Sequence, residues 1–398
     1  MSALLTTLNP GLVLLFAGLV GLVLPIQRLR QGLMIAAPLI GIAMLAGAQL
    51  DVDLMTAKAI GVELILYRVD TLNYVFGHAF LIAALLNAIY ALHNDDRLHD
   101  GMAMALAGSA VTATFAGDLM TLFIFWELTA LGSVFLILKA GTRAAYFASM
   151  RYIAIQILSG VLLLDGIAYV YKYTGSLSLE AFADLAAPGA IFIFLAIAIK
   201  AAFPLLHNWL QDAYAKATVT GAAVLSAYVT TLAVLACARL FPGLDHLVWL
   251  GAIMVVFPVF FAVLENDLRR VLAYALNIQV GFMICAVGFA DVATDVGRLA
   301  LSGAAAHAFT SVIFMALLFM AMGAVLYRTG TAKASALGGL YKSMPFTTVF
   351  CLVGAASMSA VPLFSGFVSR SLIVDTAALT GNQVIWMMLL FGSAGVFA

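Results

Sequence analysis

An all-α, polytopic membrane protein is the fold class this sequence predicts, and three observations predict it. Of its 398 residues 65% are hydrophobic and only 10% are charged, with a mean hydropathy of +1.11. A soluble domain carries about 25% charged residues, so water alone could not solvate this surface, whereas lipid-facing positions can be apolar. The apolar residues also fall into successive runs of roughly the 20 residues that cross a bilayer as a helix. Finally, the basic residues cluster in alternate loops, as the positive-inside rule requires.

The runs lie near 10–26, 32–50, 71–92, 101–116, 118–138, 146–171, 189–208, 218–240, 246–264, 271–289, 299–326, 345–378 and 384–398, which makes thirteen helices. No basic segment precedes the first run and no clear small-residue cleavage site follows it, so it reads as a retained helix. The run 345–378 contains Pro362 and Gly366 and is expected to be broken. The last run stops at Phe397-Ala398 without a polar end, so a truncated C-terminus is expected. The longest polar segments, 51–70 and 172–187, read as short outer loops, and 1–398 as a single transmembrane domain. With the N-terminus outside, twelve Lys and Arg face the cytoplasm and five face outward. Lys200 and Arg370 fall within helices.

A formal net charge of zero gives no sign of a nucleic-acid partner. Cys237, Cys285 and Cys351 lie far apart in apolar runs, without metal-ligand spacing. The chain has no Gly-rich phosphate loop and no defensible His pair for haem, so no cofactor or metal is expected.

Ionisable groups inside a membrane are costly and mark function. Four stand out: Glu127, Lys200, His307 and Arg370. Glu127 follows Asp118-Leu-Met-Thr-Leu-Phe-Ile-Phe-Trp. Asp118 suits a helix start, and nine residues of helical rise put Glu127 about 13 Å deeper, unless it is simply a neutral, hydrogen-bonded core residue. Lys200 ends the run Ile191-Phe-Ile-Phe-Leu-Ala-Ile-Ala-Ile, four residues before Pro204. A proline break exposes backbone to ions as in transporters; the bland alternative is a lysine reaching to an interface. Arg370 follows a second break, at Pro362, and because arginine does not deprotonate it reads as a fixed counter-charge. His307, in Ala304-Ala-Ala-His307-Ala-Phe-Thr310-Ser311, suits a proton relay or a satisfied core histidine. His78 and His207 are weaker candidates. Two broken helices, each beside a basic residue, fit two internal repeats at about 101–240 and 246–398.

These stretches also carry a resemblance. Gly117-Asp-Leu-Met-Thr-Leu-Phe-Ile-Phe-Trp-Glu127-Leu-Thr and Lys200-Ala-Ala-Phe-Pro204-Leu-Leu-His207-Asn-Trp209-Leu-Gln-Asp212 resemble the glutamate and lysine helices of the antiporter-like subunit family. That family comprises proton-conducting proteins such as the A-type and D-type subunits of Mrp Na+/H+ antiporters and the L, M and N subunits of NADH-quinone oxidoreductase. Glu265-Asn-Asp267-Leu-Arg-Arg270-Val-Leu-Ala-Tyr274 and Ala360-Val-Pro362-Leu-Phe-Ser-Gly366-Phe-Val-Ser-Arg370 resemble two further family segments. The resemblance runs from about 67 onward and looks closest to the D-type subunits of Mrp antiporters.

It implies an antiporter-like bundle of 13–14 transmembrane helices with two inverted repeats containing Pro-broken helices. It implies that Glu127 pairs with Lys200 and tunes its proton affinity, and that protons follow a polar axis at mid-membrane. It also implies other membrane subunits as partners in a hetero-oligomeric antiporter or respiratory complex, in a cell inner membrane, with protons and Na+ as the ions. The chain departs from the family pattern where Thr231 and Ser311 replace lysines and where Arg370 stands for lysine or glutamate. Conduction is then expected to run through Lys200, His307 and ordered water. Three functional readings stay open: a proton or Na+/H+ antiporting subunit, a membrane-arm subunit of a redox-driven oxidoreductase or hydrogenase, and a structural paralogue that has lost conduction.

Overall fold

In a computed structural model, residues 7–59 and 61–397 are described; Ala398, the last residue of the expected helix 384–398, lies outside them. Among the described residues, eight helices are long and apolar enough to cross a membrane, and four shorter helices are apolar as well. The chain divides into two compact units after Lys200.

The first unit contains α1 (Pro10–Val23), α2 (Gln27–Ala46), a hairpin of β1 (Asp53–Ala59) and β2 (Val62–Arg68), α3 (Thr71–Tyr90), α4 (Arg97–Thr114), α5 (Leu119–Leu138), α6 (Arg143–Thr174) and α7 (Ala190–Lys200). Most of these helices start on a side chain that accepts from an otherwise orphaned amide. Asn9 caps α1, Asp70 caps α3 in a reciprocal capping box with Asn73, Asp96 caps α4, Asp118 caps α5 and Thr142 caps α6. Apolar faces alone do not set the spacing, because lipid competes for them, and small residues permit the closest approach. Gly11 and Gly18 of α1 face Gly108 and Gly101 of α4, where any Cβ would collide with the partner backbone.

The expected loop 51–70 contains the antiparallel hairpin β1–β2. Its strands are rich in residues that suit a half-buried pleat, Leu64-Ile-Leu-Tyr67 above all. The turn between α4 and α5 holds the hairpin: Gly117 N donates to Ile65 O at 2.9 Å, Arg68 N donates to Phe115 O at 2.9 Å, and Ile65 N donates to Asp118 Oδ2 at 2.6 Å. At one end of α2, Arg30 is fully buried, and it donates to Asp100 at 2.8 Å and Asp95 at 2.5 Å.

The second unit contains α8 (Asn208–Lys216), α9 (Val219–Leu240), α10 (Asp245–Leu264), α11 (Leu268–Gly288), α12 (Asp295–Thr329), the single turn α13 (Leu340–Ser343), α14 (Pro345–Met358), α15 (Ser365–Leu379) and α16 (Gln383–Phe397). Its core is α9, buried along its whole apolar length, and α11, nearly so. A helix hydrophobic all round belongs inside, and α9 packs against α11 and α12.

The expected break in 345–378 separates α14 from α15 at Pro362, and α7 stops at Lys200, before Pro204. Both turns read Ala-x-Pro-Leu, and both put the alanine and the leucine in the left-handed region. The φ values are +58° at Ala202 and +71° at Leu205, and +54° at Ala360 and +80° at Leu363. Each such residue costs on the order of 1–3 kcal/mol and persists only where its surroundings enforce it.

Candidate functional site

The first polar centre lies in the first unit, where α5, α6 and α7 meet. The α7 helix delivers Lys200 at its C-terminal end, where the unpaired carbonyls favour a cation. The side chain is fully buried. Its Nζ donates to the Trp126 carbonyl at 2.7 Å and to Thr129 Oγ1 at 2.9 Å, and sits 4.1 Å from the Trp126 ring centroid. The Thr129 hydroxyl proton is committed to the Trp126 carbonyl at 2.7 Å, which leaves its lone pairs for the ammonium. The same indole donates through Nε1 to Ser159 Oγ at 3.2 Å, and Ser159 donates to the Ala196 carbonyl at 2.9 Å, so one tryptophan links all three helices.

Glu127 is the residue after Trp126. Its carboxylate rests against Gly160 of α6, where a Cβ would overlap it, and its Oε1 has no hydrogen-bond partner. Glu127 and Lys200 are neighbours without a direct ion pair; carbonyl, hydroxyl and π-face hold the ammonium instead. A buried charge needs such partners to survive desolvation, and leaving the carboxylate free keeps it able to take up a proton.

The second centre lies in the second unit, between α11, α12 and α15. His307 is fully buried, with Nδ1 3.0 Å from Ser369 Oγ and Nε2 3.0 Å from Gln279 Oε1. Thr310 Oγ1 lies 3.0 Å from the same serine. Arg370, only 2% exposed, donates to Gln279 Oε1 at 3.0 Å and to the Met358 carbonyl at 2.5 Å, and its guanidinium carbon sits 4.7 Å over the Phe282 ring. No carboxylate touches it among the described residues, so its charge is spread over neutral acceptors and a ring face.

Each of the other expected residues has its own local setting. Thr231 is buried in α9. Ser311 turns its hydroxyl to the Ala308 carbonyl of its own helix at 3.2 Å. Asp118 caps α5 and anchors the hairpin. His78 bonds the Tyr74 carbonyl of its own helix at 2.9 Å, and the His207 ring packs edge-on to Phe257 at 4.6 Å. Pro204 and Pro362 mark the two turns. Trp126, Thr129, Gln279, Ser369 and Phe282 are parts of the centres that a search for ionisable groups passes over. The available signal was neutral: polar or indole side chains near a charged one, and two buried amides, Asn277 and Gln279, in the apolar run of α11.

Residues 116–397 match the family described as NADH:quinone oxidoreductase/Mrp antiporter, TM. The chain belongs to this family. Similar proteins include the D-type subunit of the Na(+)/H(+) antiporter of Alkalihalophilus pseudofirmus, 30% identical over 69% of this chain and 58% of that protein. The N subunit of NADH-quinone oxidoreductase of Desulforudis audaxviator is also 30% identical, over 70% of this chain and again 58% of the relative. This family member therefore spans 58% of the length of either relative. Among solved structures, a chain of the Mrp complex from Dietzia sp. matches with a TM-score of 0.85 at 24% identity, covering 100% of this chain and 78% of that one. A chain of respiratory complex I from Thermus thermophilus matches at 0.80 and 22%, covering 100% and 87%. These likenesses establish the antiporter-like helical bundle expected from the motifs.

Proposed function

We propose that this chain is a proton-translocating or Na+/H+-antiporting subunit of a multisubunit membrane complex of the Mrp type, partnered by other membrane subunits. Glu127 and Lys200 exchange the proton. His307, with the hydroxyls of Thr231 and Ser311 and ordered water, provides stations without a permanent charge, and Arg370 is a fixed positive charge. The N-terminus faces outward across a cell inner membrane.

One observation carries this reading: a fully buried lysine at the end of a broken helix, held by a carbonyl and a hydroxyl beside a carboxylate with a free oxygen. Such an ionisable group inside a membrane marks a functional site by default, and a lysine beside a carboxylate suits proton transfer. The A. pseudofirmus relative supports the antiporter assignment. The equal identity to a component of an NADH-quinone oxidoreductase supports a second reading, a redox-driven membrane arm. Neighbouring genes separate the two, because they encode either small antiporter subunits or redox subunits. The test of either is pH-gradient dissipation in vesicles holding the assembled complex. Lys200→Ala is expected to abolish it with assembly intact, and full activity in that variant overturns the proposal. A parent complex that assembles but conducts nothing identifies a structural paralogue and overturns it as well.

A further inference from the structure

We propose that Gln279 is the positioning residue of the second centre: its one carbonyl oxygen holds Arg370 and His307 together and confines proton exchange by His307 to the Nδ1 edge, which faces Ser369 and Thr310. The inference rests on the reading of His307 as a proton station.

The argument starts from donors and acceptors. Arginine has only donors, so the Gln279 atom 3.0 Å from its guanidinium must be the amide oxygen, and this fixes which way the amide points. The amide nitrogen is directed back to the Ala275 carbonyl at 3.4 Å. The same oxygen lies 3.0 Å from His307 Nε2. An amide oxygen only accepts, so Nε2 must carry a hydrogen. Nδ1 is then the basic nitrogen of a neutral imidazole, and it lies 3.0 Å from the Ser369 hydroxyl.

A doubly protonated ring would also donate at Nε2. It would, however, put an imidazolium on the acceptor already shared with a guanidinium. Arg370 is the charged group at this cluster; Gln279 from α11, Ser369 from α15 and Thr310 and Phe314 from α12 are neutral, and Phe282 offers a ring edge 5.9 Å away. Among the described residues, nothing in contact compensates a second positive charge. The neutral Nε2–H tautomer is the resting form, and its Nε2 proton cannot leave toward Gln279, because an amide is not a base. Traffic at His307 therefore enters and leaves through Ser369 and Thr310, whose hydroxyls are 3.0 Å apart and can each both donate and accept.

The test reads the ring nitrogens directly. In the assembled complex labelled with 15N-histidine, the His307 signals are assigned among the six histidines by their loss in His307→Gln. At neutral pH the unsubstituted complex is expected to show Nε2 protonated and Nδ1 bare. Gln279→Leu, which keeps volume and removes the acceptor, should move His307 toward the Nδ1–H tautomer. Gln279→Glu, which supplies the missing negative charge, should protonate both nitrogens. A resting His307 that carries its hydrogen on Nδ1, or on both nitrogens, overturns the proposal, and so does an unchanged spectrum in Gln279→Leu. The first measurement needs no variant of Gln279. The tautomer is read without transport, so a complex with the expected spectrum but no proton flux counts against the proposed function and leaves the role of Gln279 standing.

Discussion

Replacing Gly160 by alanine separates the position of Glu127 from the stability of the fold. An added Cβ would overlap the Glu127 carboxylate, which is the far end of a flexible side chain. The carboxylate can therefore yield by leaving its rotamer, at about 0.5–1.5 kcal/mol, while alanine returns up to about 1 kcal/mol of helix propensity in α6. The net change in stability stays within about 1 kcal/mol. To reach van der Waals separation of about 3.5–4.0 Å the carboxylate must move by more than about 1 Å, and misplacement on that scale costs up to on the order of a hundredfold in rate. Gly166→Ala is the control. There the Cβ would lie 2.9 Å from the Gly189 carbonyl oxygen and 3.0 Å from the Ile193 amide, neither of which yields easily, and it would not touch the site. Overpacking of this kind costs about 1–3 kcal/mol. Thermal unfolding and proton flux per assembled complex are measured on both variants. Gly160→Ala should lose flux and keep stability, and Gly166→Ala the reverse. Flux in Gly160→Ala within about twofold of the parent, against the loss expected from misplacement, would refute the role given to the carboxylate.

Three further outcomes are expected. Arg30→Met strands the buried Asp100 carboxylate and should cost about 3–5 kcal/mol, with Asp100→Asn in the same chain restoring most of it; Asp95, 61% exposed, contributes little. Burial opposes ionisation of Asp96, but hydrogen bonds from Lys139 Nζ at 2.8 Å and the His99 amide at 3.2 Å hold its carboxyl below the ordinary range. That stabilisation is complete above an unfolded value near about 3.9 and is lost as pH falls through the folded one, so unfolding scans should show Asp96→Asn weaker than the parent at neutral pH and equal to it in strong acid. A cysteine replacing Asn94 should be labelled from the cytoplasmic side, and labelling from outside alone would reverse the proposed orientation.

Much of this was legible in the sequence because lipid leaves few options. Apolar runs of bilayer length had to be helices, and Asp118 announces where one of them begins. Glu127, Lys200, His307 and Arg370 were visible because an ionisable group in such runs is costly and marks function more often than packing. What holds those charges was not visible. The first acceptor of Lys200 is the backbone carbonyl of Trp126, which any residue would have supplied. Gln279 is neutral and so escapes a search for charges, although it joins His307 to Arg370 across three helices. Hairpin β1–β2 was read as loop because its pairing partner for the Ile65 and Arg68 amides is the turn after α4, a long-range contact with no local signal. The left-handed residues were hidden too, since alanine and leucine do not ordinarily adopt that geometry.

The two Ala-x-Pro-Leu turns bear on how the chain is made. A spanning helix can be released into lipid as soon as it is synthesised, because every amide is paired within it. The segments beside the turns cannot do this. α7 and α8 have 11 and 9 residues, and α14 and α15 have 14 and 15, against the roughly 20 that cross a bilayer. Each pair must pass its unpaired turn through hydrocarbon at several kcal/mol per exposed group, unless neighbours already stand there to receive it. In the first unit α7 packs on α6, and in the second α14 and α15 pack on α12 while α8 packs on α11, so α7, α14 and α15 need helices already made to stay at the insertion site, and α8 waits for one made after it.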